Sequence, residues 1–575
     1  MLFDILKYTP LLSSGTSIYK AFSLFTSFLA ASNMTTTSSA PSLRDRLGEY
    51  KPTELRADLS HLTMGDKQAL VKLADVSDLL NNAYYRQIWS GAAALRKELA
   101  DNAHRSQEAK DRLRLFELLR GPWDRSRENQ SFIDGVGAKP PMANVYPEDM
   151  TKEEFSAWVA TLSEEDSRRA HGFYDTVVRR AGGGVLELVK YADAYREFLE
   201  PASILLDEAA ALVSDPTFAA FLSARAKAFD TNRYVDSDVA WLNISHESAL
   251  EAAIGPYETY EDELFSAKAF FEAMVHVRDF EASKVLDKFA SSLEYVESRL
   301  PIPEEYRNKK LVAPPIVVVN QVYAGGDTAV PMTAAYNLPN DEEAIERAGS
   351  KLTMIRNVQE GKMHSVLRPI ALSVLDPQDL PHVTFDAFFT HVLLHEVAHS
   401  NGPHRTVSGG DTVRSHMQEL HAAFEEAKAD ITALFAARLL VDSGVIDDIT
   451  MRQFYTTYLV SAFRSIRFGL AEAHGLGQAM QLNYLLEAGG FVYHETTRTF
   501  GVDFGKIDQA VSDLTRDIML IQGDGDKQRA VAFRAKYGVV APSVAEALGA
   551  LKHVPIDIAP IWVDIEDLRK ASALV

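Results

Sequence analysis

The sequence predicts a mainly helical α+β protein built from two lobes. Amphipathic stretches recur from about residue 43 to 300 and again after 384, with the spacing of surface helices. Between 311 and 375 the chain is instead rich in β-branched residues and broken by Pro and Gly, as strands and turns are. A length of 575 residues is enough for two or three lobes with a large core. We therefore expect a helical lobe and a lobe that combines helices with a small β-barrel or sheet, separated by a cleft.

The two lobes are expected to be interleaved along the chain. We assign 43–278, 321–367 and the C-terminal tail to the mixed α/β lobe, and 279–320 with 368–530 to the helical lobe. Within these blocks, 183–213 and 265–300 are interpreted as amphipathic helices, and 365–375 as strand and turn. The tail VPIDIAPIWVDI is interpreted as extended.

Composition limits the partners and the kinds of metal site. A hydrophobic content of 46% and a charged content of 24% are ordinary for a soluble globular protein. The formal net charge of −21 disfavours nucleic acid or an anionic membrane as a partner, because both need a basic surface. The chain has no cysteine, which excludes disulfides and thiolate ligands, so a metal would be held by His and carboxylate.

Residues 1–42 differ from the rest and are expected to be an N-terminal extension, either disordered or targeting. Their apolar run at 21–32 is too short to span a bilayer. It has the length of a signal-peptide core, but Met34 also offers a second start, which would make it a transit-like or untranslated extension. We expect a cytoplasmic protein with no membrane partner; the oligomeric state is left open.

Residues 395–399 read HEVAH inside the apolar stretch FDAFFTHVLLHEVAHS, which predicts a buried helix. The H-E-x-x-H spacing puts His395 and His399 one turn apart on one face, where both can bind one zinc ion. Glu396 can then reach a metal-bound water as general base. Two His and a Glu can also lie on a solvent-exposed helix without binding a metal. Here the opposite face of the helix is apolar, which favours a buried metal site over that alternative. His391, one turn earlier, is expected to have a structural or supporting role.

A catalytic zinc needs a third protein ligand, and two candidates compete. His404 follows the pattern of the longer metzincin signature but is one residue early, because Arg405 occupies the position of that histidine. Glu426 lies on the next predicted helix, on a face of stacked acids that would repel one another without a facing cation. We favour Glu426, with Glu425 and Asp430 accepting hydrogen bonds from the outer nitrogens of the two histidines.

The block EEAKAD at 425–430 after HEVAHS resembles the dipeptidyl peptidase III family of zinc exopeptidases. Three more segments carry the resemblance: ETY at 258–260, NLPN at 337–340, and AHGLGQAMQLNYLLEAG at 473–489. Together they lie in the family's order over about half of the chain.

The resemblance implies roles for five further residues. Glu258, Asn337 and Asn340 would bind the amino terminus of a substrate, while Tyr260 and His474 would stabilise the oxyanion of the transition state. Such groups suit those tasks, because a carboxylate and amide oxygens can hold an ammonium ion, and phenol and imidazole can donate to an oxyanion. Each alone has a bland alternative as a packed polar residue or a turn former.

The sequence departs from the family pattern in three places. The interval from His399 to Glu426 is shorter than in the common members, which implies a trimmed helical lobe. The usual histidine motif has one more residue between its histidines, and an arginine usual one turn after His474 is Gln478 here. Some relatives are fused to a nucleotide-diphosphate hydrolase domain, whose Gly- and Glu-rich signature is not found in this sequence.

The sequence thus predicts a metallopeptidase (a gluzincin) with one Zn²⁺ per chain. It would release dipeptides from the amino terminus of oligopeptides by attack of a zinc-bound water. The alternatives are another zinc hydrolase or an endopeptidase on the same scaffold, and a peptide-binding protein without turnover.

Overall fold

The computed structural model describes residues 41–180, 184–311 and 315–572, without the side chains of 285–288 and 290. The predicted extension at 1–42 therefore lies outside the described residues except for its last two. The fold is α+β and mainly helical, with two lobes, as predicted. No helix in the described ranges is both long enough and apolar enough to cross a membrane.

A five-stranded open sheet forms the β element. Its strands, numbered in chain order, are β1 (Leu250–Glu258), β2 (Phe270–Arg278), β3 (Ile316–Gly326), β4 (Ala335–Leu338) and β5 (Lys351–Ile355). Their order in the sheet is β1-β2-β3-β5-β4, with β3 and β5 parallel and the other pairs antiparallel. The outer strands β1 and β4 do not pair with each other within the described residues. Of the two predicted possibilities, a small β-barrel or a sheet, the structure has the open sheet.

Strand β3 shows how the sheet joins two hydrophobic cores. Val317 and Val319 belong to the core of the mixed lobe, and Val318 between them belongs to the core of the helical lobe. Successive side chains of a strand point to opposite faces, so one strand can serve both cores. The helix Met64–Ile88 packs closely on the sheet, because a Cβ at Gly325 would lie 2.3 Å from the carbonyl oxygen of Ser77.

Helices make up most of the rest of the chain. Before β3 they are Leu43–Gly48, Met64–Ile88, Ala92–Asn102, Gln107–Leu119, Lys152–Val159, Glu164–Ala170, Tyr191–Ala194, Arg196–Ala210, Pro216–Thr231, Val235–Leu242, Phe280–Ala290 and Leu293–Glu297. After it come Glu342–Ala348, Arg356–Lys362, Arg368–Val374, Val413–Met417, Met451–Ile466, Lys527–Tyr537, Pro542–Ala550 and Val563–Ser572. Four more build the site and are numbered α1 (Phe385–Ala398), α2 (His421–Asp442), α3 (Ala473–Glu487) and α4 (Ile507–Asp524).

Four two-stranded pairs complete the fold. The C-terminal tail forms the strand Asp557–Trp562, which pairs in parallel with Tyr50–Leu55 near the other end of the chain. The antiparallel pairs are Trp123–Asp124 with Gln130–Ser131, Asp175–Arg179 with Leu186–Lys190, and Phe491–His494 with Thr499–Val502.

Four segments contradict the sequence interpretation. One is the end of the C-terminal tail, where residues 563–565 begin the helix Val563–Ser572 instead of continuing extended. The block 265–300 was expected to be helical throughout, but 270–278 is the strand β2, and 186–190 within 183–213 is also a strand. All nine residues of β2 are buried, so it lacks the alternation that marks a half-exposed strand. The block 365–375 contains the helix Arg368–Val374, whose Pro369 stands in the first turn, where proline is tolerated.

The largest hydrophobic clusters follow the two lobes. One contains mainly residues between 352 and 554, and the other mainly residues between 50 and 358 together with 558, 559 and 565. The residue boundaries of the lobes stay a prediction.

Candidate active site

Helix α1 carries the histidine motif. The side chain of Thr384 caps its first turn by accepting a hydrogen bond from the backbone N–H of Ala387. Ten of its fourteen residues are buried, because α1 packs against α2 on one side and the helix Met451–Ile466 on another. Burial fixes the rotation of the helix, and this directs His395 and His399 toward the acidic face of α2.

Helix α3 reaches the same point from the other side. At Gly477 a Cβ would lie 3.1 Å from the carbonyl oxygen of Ala423 on α2, so glycine allows the two helices to approach closely. The side chain of Glu472 caps α3 at Gly475 and also binds Nδ1 of His474 at 2.9 Å. His474 is thereby held at the start of α3, beside α2.

Three imidazoles converge on one carboxylate oxygen. Oε2 of Glu426 lies 3.2 Å from Nε2 of His395, 3.3 Å from Nε2 of His474 and 3.9 Å from Nε2 of His399. One ligand atom each from His395, Glu426 and His474 lies within 4.8 Å of the others. Of the predicted metal ligands, His395 and Glu426 are therefore in this cluster together with His474, whereas His399 lies farther out, 3.9 Å from Glu426.

These donors fit a divalent cation. Oε2 of Glu426 is buried and accepts no hydrogen bond from any described residue, although three nitrogens surround it. Ligands about 2.1 Å from a tetrahedral zinc ion lie about 3.4 Å apart, which is close to the separations observed. Burial raises the pKa of Glu426, but the neighbouring imidazoles outweigh it and hold that pKa below the usual value. An ionised carboxylate beside imidazole nitrogens is the donor set that zinc prefers.

Each motif histidine contacts a carboxylate through its outer nitrogen. Nδ1 of His395 lies 2.7 Å from Oδ1 of Asp430, and Nδ1 of His399 lies 3.1 Å from Oε1 of Glu425. Burial would raise the pKa of Asp430, but the charge and hydrogen bond of His395 lower it to about 2. These contacts direct the Nε2 lone pairs of both histidines inward. They are the contacts expected of Glu425 and Asp430.

The outer oxygens of these carboxylates are held by buried side chains. Oδ2 of Asp430 accepts hydrogen bonds from the amides of Gln478, at 2.6 Å, and Gln481, at 3.3 Å. Oε2 of Glu425 accepts from Gln522 at 3.1 Å, and its Oε1 pairs with Lys428 at 2.8 Å. The two histidines are therefore fixed by contacts from α2, α3 and α4.

The remaining residues of the motif region have distinct surroundings. Glu396 is partly exposed, and its carboxylate makes no hydrogen bond or ion pair within the described ranges. His391 is buried, and its Nε2 lies 3.1 Å from the carbonyl oxygen of Asp430. Nε2 of His404, the rejected third ligand, lies 3.3 Å from the carbonyl oxygen of Ser400 and not among the converging donors.

A second group of predicted residues meets at the end of β1. Glu258 ends the strand, Tyr260 follows it with its side chain 61% exposed, and Asn340 donates to the carbonyl oxygen of Tyr257 at 3.0 Å. Asn340 and Tyr260 interact with the carboxylate of Glu258. Partial burial and Glu258 raise the pKa of Tyr260 to about 12, so its phenol keeps a proton to donate. Asn337 is exposed on β4.

Two further carboxylates lie near Glu258, contributed by the neighbouring strands. Glu272 is on β2, and Asp327 directly follows β3, where its N–H donates to Phe271. Burial and then Asp327 raise the pKa of Glu258 above its usual value. Burial, Glu258 and Asp327 raise the pKa of Glu272 well above its usual value. Arg125 pairs with Asp327 at 2.7 Å.

The loop after Tyr260 is fixed by one buried carboxylate. Asp262 accepts hydrogen bonds from four backbone N–H groups, those of residues 264, 265, 267 and 268, at 2.9 to 3.1 Å. It also accepts from the hydroxyl of Tyr146 at 3.1 Å. A carboxylate with this many donors sets the conformation of the loop and, with it, the position of Tyr260.

Several of these residues were not found from the sequence. Lys428 lies three residues after Glu425, a helical neighbour spacing that could have indicated it. Gln481 and Gln522 carry no local signal, because helix packing alone brings them to Glu425 and Asp430. Glu272 and Asp327 meet Glu258 only because their strands pair.

A family model and a protein of known name both match this chain. A model of the family described as Peptidase family M49 matches residues 148–403. A protein of Arabidopsis thaliana named Nudix hydrolase 3 is 38% identical over 572 residues, covering 91% of this chain and 74% of that protein.

Two solved structures are similar over nearly the whole chain. The structure of DPP III from Caldithrix abyssi has 36% identity and a TM-score of 0.85, covering 91% of this chain and 100% of that one. The structure of dipeptidyl-peptidase III from Corallococcus sp. strain EGB has 42% identity and a TM-score of 0.74, covering 92% of this chain and 99% of that one.

Proposed function

The chain belongs to the dipeptidyl peptidase III family, peptidase family M49, and we propose that it releases dipeptides from the amino terminus of oligopeptides with zinc as its cofactor. Membership of the family makes it a peptidase, with peptides as substrates. The observation that carries the finer proposal is the convergence of His395, His399 and His474 on one buried oxygen of Glu426.

In this proposal His395, His399 and Glu426 hold the ion. A zinc ion bound there supplies Lewis acidity and lowers the pKa of a coordinated water toward neutrality. Glu425 and Asp430 keep the Nδ1 protons of the two histidines in place, so that both Nε2 atoms remain donors to the metal.

Glu396 acts as the general base and later as the acid. It follows His395 on α1, and its carboxylate has no competing partner among the described residues, so it can accept the proton of the attacking water. It then delivers a proton to the departing amine. His474, whose bond to Glu472 raises its pKa to about 9, and Tyr260 are protonated donors for the developing oxyanion.

Glu258 and Asn340 bind the substrate's free ammonium group, with Asn337 as a further amide nearby in sequence. An ammonium ion offers three donors, and a buried carboxylate with amide oxygens is a matching acceptor set. Anchoring that group at a fixed distance from the metal would select the second peptide bond for cleavage. This is the feature that would make the enzyme an exopeptidase.

Purified wild type and a Glu396→Gln variant, which preserves side-chain size, test the proposal. We expect about one zinc per chain in both, and loss of cleavage by at least about 100-fold in the variant. Wild type should release dipeptides from free oligopeptides and fail on the same peptides with an acetylated amino terminus.

Each rival predicts a different outcome. Cleavage of acetylated peptides at an undiminished rate would identify an endopeptidase, and zinc binding without turnover would identify a binding protein. Undiminished cleavage by Glu396→Gln would refute the assignment of the base.

A further inference from the structure

We propose that Gln478 and Gln481 are positioning residues of the metal site, which raise its zinc affinity by holding Asp430 against His395. The inference rests on the zinc binding proposed above and concerns how tightly the ion is held. Neither glutamine is one of the converging donors; both act through the carboxylate behind the histidine.

The two motif histidines have equivalent outer contacts. Nδ1 of His395 contacts the carboxylate of Asp430, whose other oxygen accepts hydrogen bonds from the amides of Gln478 and Gln481. Nδ1 of His399 contacts the carboxylate of Glu425, whose other oxygen accepts a hydrogen bond from the amide of Gln522. Each imidazole is therefore backed by a carboxylate whose far oxygen is fixed by glutamine.

The two arrangements differ in charge. The ammonium group of Lys428, fully buried, lies 2.8 Å from Oε1 of Glu425 and 3.2 Å from the carbonyl oxygen of His399. No Lys or Arg pairs with Asp430 in the described part of the chain. Amides donate hydrogen bonds without neutralising charge. The carboxylate of Asp430 therefore contacts His395 without a neighbouring Lys or Arg among the described residues, and the amides of Gln478 and Gln481 alone hold it in place.

Gln478 contacts Asp430 at a cost in hydrogen bonding. Gln478 is 5% exposed, and its Oε1 is buried without any hydrogen-bond partner in the described structure. An unsatisfied buried acceptor costs about 1–3 kcal/mol. Turning the amide over would place its oxygen against the carboxylate oxygen of Asp430 at 2.6 Å, which is worse. The contact of Gln478 with Asp430 is therefore better explained by the orientation of that carboxylate than by the stability of the protein core.

A second contact fixes the direction of Gln481. The hydroxyl of Tyr458 donates to Oε1 of Gln481, so the NH₂ group of that amide faces Asp430 and the carbonyl oxygen of Gly477. With both amides donating to Oδ2, Oδ1 of Asp430 is left to accept the Nδ1 proton of His395. This selects the tautomer whose Nε2 lone pair faces Glu426 and the metal.

Two matched substitutions test the inference on the full-length protein. Gln478→Met and Gln522→Met each remove one amide and keep a similar side-chain length, but only the second leaves its carboxylate paired with a lysine. The zinc dissociation constant is measured by competition with a chelator, and thermal unfolding of the metal-free proteins checks that each variant is folded. We expect Gln478→Met to weaken zinc binding by about 10- to 100-fold and Gln522→Met to weaken it less.

A double-mutant cycle separates positioning from packing. If Gln478 acts through Asp430, then Gln478→Met should weaken zinc binding little or not at all in an Asp430→Asn background. Equal losses in the two Met variants, or the same loss in the Asp430→Asn background, would overturn the inference. So would a dissociation constant unchanged by Gln478→Met. A wild type that binds no zinc would overturn the proposed function as well, so the two failures are distinguishable.

Discussion

Nε2 of His474 lies 3.3 Å from Oε2 of Glu426, closer than Nε2 of His399, which lies 3.9 Å away. Both imidazoles are therefore close enough to the carboxylate of Glu426 for either one to share a metal ion with it. They differ in the carboxylate that holds them, because Nδ1 of His399 contacts the partly buried Glu425, whereas Nδ1 of His474 contacts the exposed Glu472. A ligand held by a buried carboxylate loses less freedom when it binds the metal.

We therefore expect His399→Ala to abolish stoichiometric zinc binding and His474→Ala to retain about one zinc per chain while cleavage falls. The loss of one oxyanion donor costs about 100- to 1000-fold in kcat. Metal analysis of the dialysed proteins, with steady-state kinetics, checks both statements. Loss of zinc from His474→Ala with retention by His399→Ala would reverse the two roles.

The acid limb of the pH profile should depend on Asp327. Glu258 must be ionised to bind an ammonium group, and burial together with Asp327 raises its pKa. Activity should therefore fall, as the pH is lowered, at a higher pH than for an ordinary glutamate. Asp327→Asn removes one negative charge and lowers the pKa of Glu258, so the acid limb of kcat/KM should move to lower pH.

The profile of kcat/KM against pH for a free tripeptide measures this shift. Glu165→Gln, on the exposed face of the helix Glu164–Ala170, serves as the control and should leave the profile in place. An acid limb that stays in place in Asp327→Asn would contradict the coupling to Glu258.

Asp262→Asn should loosen the loop that carries Tyr260. The amide can accept at one end only, so two of the four backbone N–H groups face a donor and lose their hydrogen bonds. Each buried group left unsatisfied costs about 1–3 kcal/mol. We expect a lower unfolding temperature and reduced kcat/KM with unchanged zinc content, whereas the exposed Asp134→Asn should change neither. Unaltered kinetics in a destabilised Asp262→Asn would limit this carboxylate to a structural role.

Lys351→Met should destabilise the sheet that carries Glu258. Lys351 is buried on β5, 2.9 Å from the carboxylate of Glu251, which also pairs with Arg278 at 2.6 Å. Removing one partner of a buried ion pair costs about 3–5 kcal/mol. Urea unfolding followed by tryptophan fluorescence measures the loss, since Lys351 lies over the ring of Trp241. Removing the exposed Lys284, paired with Glu281, should cost less than about 1 kcal/mol; equal effects would contradict the argument from burial.

Local pattern was a good guide where an element has one apolar face. The amphipathic helix at 64–88, the β character of 316–326 and the extended part of the C-terminal tail at 557–562 are confirmed. The pattern was misleading for β2, because a strand buried on both faces has no alternation to distinguish it from a buried helix. Pro369 likewise suggested a turn, although it lies within a helical run from 356 to 374, directly after the π-helical segment Met363–Leu367.

The sequence by itself determined the candidate metal-binding face, because His395 and His399 are one helical turn apart and need no other element to face the same way, with Glu396 beside them. Glu425, Glu426 and Asp430 are a second local set on α2. The tertiary structure decided what surrounds these two helices: His474 and the glutamines on α3 and α4, and the carboxylates that strand pairing gathers around Glu258. Those contacts join residues far apart in the chain, and their geometry follows from packing that no local spacing encodes.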